Sequence, residues 1–151
     1  MKLMLDTNIL LEYLEHRKEY EAVRTILSAI QRGEHSGYIS QGSLYTLAYL
    51  TERAYKAQGI HKPGLTDKVR NTLLAILNLV EPLGITRSEI MNAIMNKDFS
   101  DIEDSLQYQC AKFNQCGILI TINIADFSQS DQSTQEILTP SAFVEKYMKL
   151  E

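Results

Sequence analysis

Gly117-Ile118-Leu119-Ile120-Thr121 is an unbroken apolar, β-branched run, the pattern of a strand buried on both faces. Strands of that kind belong to parallel sheets covered by helices, so the flanking segments should read as helices. Ser100 to Asn114 precedes the run with helical spacing. At the start of the chain, Lys2 to Leu5 is a second short apolar run that stops at Asp6-Thr7-Asn8 and passes into Ile9 to Glu15, again at helical spacing. A strand turning straight into a helix, capped by Thr7 or Asn8, is the expectation there. Further helices are predicted over Glu19–Arg32, Ser43–Ala57, Thr66–Leu79 and Thr86–Met95, with Gly33 closing the first of them. Short strands are predicted at Tyr38-Ile39-Ser40, at Val80–Leu83 and at Ile137-Leu138. Pro82 confines the Val80 strand to a sheet edge. Ser128 to Glu136 carries no apolar residue and reads as a solvated loop, after which Thr139-Pro140 opens a last helix. The alternation predicts one α/β domain over residues 1–151, a three-layer α/β/α sandwich around a parallel sheet of about five strands.

Composition narrows the functional classes. Apolar residues make up 44% and charged residues 23% of the 151, which excludes a disordered or fibrous chain. Cys110 and Cys116 match no disulfide framework and no zinc spacing. The N-terminal apolar run is too short for a signal peptide or a membrane span, so no membrane partner and a cytoplasmic location are expected. A net charge of −4 argues against a nucleic-acid binder that works by bulk positive charge.

Ligands of open parallel sheets bind beyond the carboxyl ends of the strands. Asp6 leaves the first strand there, and Asn123 and Asp126 follow the strand ending at Thr121. Asp98-Phe99-Ser100-Asp101-Ile102-Glu103-Asp104 places four acids at a helix start. Carboxylates crowded together repel and raise one another's pKa, and a hard divalent cation relieves them. Oxygen-only ligands point to Mg²⁺ or Mn²⁺. Purely structural roles also exist: Asp6 as a strand-to-helix cap, and Ser100 with Glu103 as a capping box. Asp104 lies outside that box, roughly 160° around the helix from an Ile102/Leu106/Cys110/Phe113 stripe, a position suited to a solvated face or to a metal pocket.

Three segments together resemble the PIN-domain ribonucleases, especially the VapC-like toxins: Leu3 to Leu11, Asp98 to Tyr108, and Ile118 to Phe127; the Thr139–Phe143 tail is similar as well. The resemblance implies a sheet of order 3-2-1-4-5 and a metal-dependent endoribonuclease, the toxin half of a toxin–antitoxin pair and a homodimer. It implies Asp6, Asp104 and Asp126 as catalytic metal ligands and Asp101 as an additional acid, with Asn123 orienting a water or phosphate. Thr46 stands where many members carry a Glu, and Ile122 where an Arg is common.

An RNA substrate also needs a cationic rim. Arg53, Lys56 and Lys62, in a stretch that adds His61, Lys68 and Arg70 against Asp67 alone, are the candidates, although a solvated inter-helix loop accounts for the same residues. Tyr45, Tyr49 and Tyr55 have helical spacing and read as core or interface residues. Two other functions compete: a PIN-like binding protein without activity, favoured by Thr46 and Ile122, and a phosphotransferase with Asp6 as nucleophile, disfavoured because Asn8 stands where such enzymes carry a second Asp.

Overall fold

The structure, a computed structural model, describes residues 1–148. Five parallel strands, β1 (Lys2–Leu5), β2 (Ser36–Ser40), β3 (Val80–Leu83), β4 (Ile118–Ile120) and β5 (Glu136–Leu138), form one sheet in the order β3-β2-β1-β4-β5. Successive strand side chains point to opposite faces, which explains why β1 from Leu3 onward and all of β4 are apolar at every position. Leu3, Leu5, Ile118 and Ile120 enter one core, while Met4 and Leu119 enter the other. The Pro82 strand β3 occupies an edge, as its missing N–H requires.

The first core is closed by α1 (Thr7–Leu14), α2 (Tyr20–Gln31), α3 (Gln41–Ala57), α4 (Gly64–Leu79) and α7 (Pro140–Tyr147). Ile9, Val23, Ile26, Leu47 and Phe143 are fully buried in it, each contributing about 1.5–3 kcal/mol from apolar burial. The second core lies under α6 (Ile102–Phe113), where Tyr108 and Ala111 meet Phe99 and Phe127. Helix α5 (Arg87–Met95) packs on α6 from outside. Gly33 closes α2 with φ +79°, in the left-handed region that glycine enters without penalty.

Four readings are corrected. Helix α1 starts at Thr7 and is capped by Asp6, whose Oδ1 accepts from the Thr7 N–H at 2.8 Å; the strand-to-helix cap named for Asp6 forms, and the cap at Thr7 or Asn8 does not. Helix α6 is capped by Asp101, extended at φ −112° and ψ 120°, whose Oδ1 accepts from the Asp104 N–H at 3.1 Å; the Ser100–Glu103 box does not form. The same helix turns Asp104, Gln107, Tyr108 and Ala111 inward, leaving Ile102 and Phe113 of the expected apolar stripe 49% and 44% exposed. Within the Ser128–Glu136 loop, Gln135 is buried, and its Nε2 donates to the Tyr108 carbonyl at 3.1 Å.

Candidate catalytic carboxylate site

Parallel strands deliver their carboxyl ends to a common rim, and the N-termini of α1, α3 and α6 gather there. Asp6 sits at the end of the central strand, 2% exposed. Its backbone N–H continues the sheet by donating to the Ile120 carbonyl at 2.9 Å, which sets it opposite Thr121, the residue after β4. The Thr121 hydroxyl donates to Asp6 Oδ2 at 2.8 Å, so with the Thr7 N–H on Oδ1 each carboxylate oxygen has one donor. Each also keeps acceptor capacity. Burial raises the Asp6 pKa, the two hydrogen bonds partly offset this, and Glu103 and Asp101 push it further up.

Asp104 lies in the first turn of α6, 6% exposed. Its pKa is raised to about 7, first by burial and then by the charges of Asp6, Asp101 and Asp126, the last also sharing a side-chain hydrogen bond with it. Asp104 thus holds a proton to higher pH than a solvated carboxyl does, and Asp6 is pushed in the same direction by Glu103 and Asp101. Asp101 is exposed at the α6 cap, and Asp126 is exposed in the 3₁₀ turn Ile124–Phe127. Asn123 opens that turn, its N–H donating to the Thr121 hydroxyl at 3.0 Å and its carbonyl accepting from the Asp126 N–H at 3.0 Å. The ion pairs among the described residues all lie elsewhere. Asp6, Asp101, Asp104 and Asp126 therefore form a carboxylate group without a paired Lys or Arg.

A hard divalent cation fits this donor chemistry, since it would replace the proton that Asp104 otherwise retains. Among the described residues no three Asp, Glu, His or Cys side chains already stand as a ready-made cage. That suits Mg²⁺, which is bound through one or two carboxylates plus water and substrate phosphate.

Beneath the carboxylates lies a group the sequence analysis missed. The Gln107 Nε2 lies 3.1 Å from Thr7 Oγ1, 3.0 Å from Ser40 Oγ and 2.8 Å from Ser43 Oγ. Ser43 Oγ in turn stands 2.8 Å from Thr7 Oγ1 and 2.9 Å from Ser40 Oγ. One signal for it was present in the sequence: Gln107 follows Asp104 by three positions, one helical turn on the same face. Thr46, where a Glu is common, is half-buried one turn beyond Ser43.

The basic residues are not brought to the carboxylates. Arg53 and Lys56 are exposed and lie ten or more positions along α3 from Ser43, roughly 15–20 Å at the rise of a helix. Lys62 is exposed in the loop before α4. Lys56 pairs with Glu52 at 3.8 Å, Arg70 with Asp67 at 3.0 Å, and Lys68 covers the Tyr55 ring at 5.0 Å. Tyr45 and Tyr49 are not core residues, at 84% and 62% exposed.

A model of the PIN domain matches residues 2–125. The chain belongs to the PIN-domain family. Ribonuclease VapC1 of Aquifex aeolicus (strain VF5) is 25% identical over 158 aligned positions, covering 99% of this chain and 97% of that protein. A crystal structure of VapBC2 from Rickettsia felis, bound to a DNA fragment from their promoter, superimposes with a TM-score of 0.62 at 19% identity. It covers 91% of this chain and 98% of the matched one. This PIN domain therefore shares its fold with a solved VapBC component, as the sheet order implied by resemblance required.

Proposed function

We propose that the chain is a Mg²⁺- or Mn²⁺-dependent endoribonuclease that hydrolyses RNA phosphodiester bonds, and that it acts as the toxin of a toxin–antitoxin pair in the cytoplasm. One observation carries the reading: Asp6 and Asp104, distant in sequence, share one buried carboxylate site at the strand ends with no cation among the described residues paired to it. The PIN-domain match and the relationship to a VapC ribonuclease support it.

Asp6 and Asp104, with Asp101 and Asp126 nearby, would hold a divalent cation, which would supply Lewis acidity toward a phosphoryl oxygen and offset charge on the leaving oxygen. The protein's own part is positioning. Thr121 and the Thr7 N–H fix both oxygens of Asp6, so it is oriented to receive a cation without reorganising. Asn123, held by Thr121, is the neutral polar group that orients a water or a phosphate oxygen. Asp126, exposed beside Asp104, adds a further carboxylate at the solvent side of the site. Arg53, Lys56 and Lys62 contact the RNA backbone away from the cleaved bond.

Two apolar surfaces suit protein partners. A cavity of about 640 Å³ between α1, α2 and α4 is lined by Leu10, Tyr13, Leu14, Leu27, Ile76 and Leu79 and suits an amphipathic antitoxin segment. Helix α5 exposes Ile90, Met91, Ile94 and Met95, a row suited to a second copy of the chain. No helix among the described residues is long and apolar enough to cross a membrane.

A second reading, an inactive PIN-like binding protein, is favoured by Thr46 and Ile122, which stand where the resemblance places a Glu and an Arg. Cleavage of single-stranded RNA with Mn²⁺, compared between the native chain and Asp6→Asn, separates the two. Activity lost in the variant and in EDTA supports the nuclease; activity that persists in both contradicts it, and none in the native chain leaves the binding protein.

A further inference from the structure

We propose that Gln107 is a positioning residue that fixes α6, and with it Asp104, against Asp6 by clamping the hydroxyls of Thr7, Ser40 and Ser43. This deepens the carboxylate-site reading and rests on it for its chemistry. Three observations combine. Gln107 is 3% exposed and sits one turn after Asp104 on the same helix face. Its Nε2 reaches the first residue of α1, the cap of α3 and the first turn of α3, joining four elements through one amide. Thr7, which it holds, is the residue whose N–H donates to Asp6 Oδ1. The chain of contacts therefore runs from the Asp104 helix through Gln107 and Thr7 to Asp6 with no gap longer than a hydrogen bond.

The clamp opposes a specific force. Asp6 and Asp104 repel when both are ionised, and nothing cationic among the described residues holds them together. Apolar contact resists this poorly, because it is non-directional and lets α6 slide or turn. An amide with its donors on fixed hydroxyls resists both. The Gln107 Oε1 is buried without a partner, a desolvation cost that a leucine there would avoid. The donors are what this position supplies.

The test compares Gln107→Leu and Thr7→Val with the native chain, using Mn²⁺ as the probe. Mn²⁺ affinity by calorimetry, kcat and KM on single-stranded RNA, and hydrogen exchange at the Thr7 and Asp104 amides are measured. Gln107→Leu should bind Mn²⁺ about tenfold or more weaker and lose kcat by a similar factor. Its KM for RNA should stay within about twofold, since the phosphate contacts are untouched. Exchange at Thr7 and Asp104 should accelerate about tenfold or more while α2 and α7 stay protected. Thr7→Val removes one clamped hydroxyl and keeps the N–H, so a smaller loss of the same kind is expected, and it carries the test should Gln107→Leu fail to fold. Native Mn²⁺ affinity and native exchange in a folded variant would overturn the proposal while leaving the nuclease reading intact. A native chain that neither binds Mn²⁺ nor cleaves RNA would remove the nuclease reading; exchange alone then decides the clamp, acceleration at both amides supporting it and unchanged rates overturning it.

Discussion

Substituting Asn for Asp104 removes a charge from a buried site while keeping its shape, and the consequence for stability has a definite sign. In the folded, metal-free chain the Asp104 carboxyl is raised to about 7, against about 3.9 when unfolded. A carboxyl raised on folding contributes its full stabilisation below the unfolded pKa and loses it as pH rises through the folded one. In EDTA the native protein should therefore weaken between about pH 4 and pH 7 and flatten above that. Three pKa units at about 1.4 kcal/mol each set a ceiling near 4 kcal/mol. Two of the three charges responsible, on Asp101 and Asp126, are exposed, so water and salt screen part of it and about 1–2 kcal/mol is expected. Asp104→Asn should lack this loss and be the more stable protein at about pH 8 by that amount. The helix cap survives, because it uses the Asp104 N–H rather than its carboxyl. Urea denaturation followed by circular dichroism at several pH values in EDTA measures both curves. Asp104→Asn less stable than the native chain at high pH, or running parallel to it throughout, would refute the argument that like charge and burial dominate this site.

Mn²⁺ should raise the melting temperature of the native chain and leave Asp104→Asn almost unmoved; equal shifts in a thermal-melt series would remove Asp104 from the cation's ligands. Thr121→Val deletes the donor to Asp6 Oδ2 and should cost about 1–3 kcal/mol by denaturation at neutral pH, with a value near zero showing that the hydroxyl is dispensable. Ile94→Glu places a charge in the exposed α5 row. Sedimentation should show a native dimer and a monomeric variant; an unchanged assembly would shift the interface elsewhere.

The strands were legible because burial on both faces leaves a local mark: β1 from Leu3 onward and every position of β4 are apolar, and Pro82 announced an edge. The acids at strand ends were legible for the same reason, since a strand's end is also the sheet's rim. The α6 reading held only in part. Cys110 of the apolar stripe is buried in the second core, but its ends at Ile102 and Phe113 are exposed, and the buried face of the helix also carries Asp104, Ser105 and Gln107. Polar residues turned toward a site invert the usual rule of burial, and periodicity alone has no access to that. The Ser100–Glu103 box failed by one residue, because Asp101 could cap as well as Ser100 and its carboxylate was in position to do so.

The amino-acid order alone determined a parallel sheet between two helical layers, the place of Asp6 at the end of the first strand, and the group of acids before Tyr108. Those are properties of neighbouring residues, set by side-chain alternation and helix geometry. Only the tertiary structure decided that Asp6, Asp104 and Asp126 share one electrostatic environment, that Arg53 and Lys56 stand well away along α3, and that one amide at Gln107 ties α6 to α1, β2 and α3. Coulomb forces and hydrogen bonds act through space over a few ångströms, and the folded chain alone fixes which residues come that close.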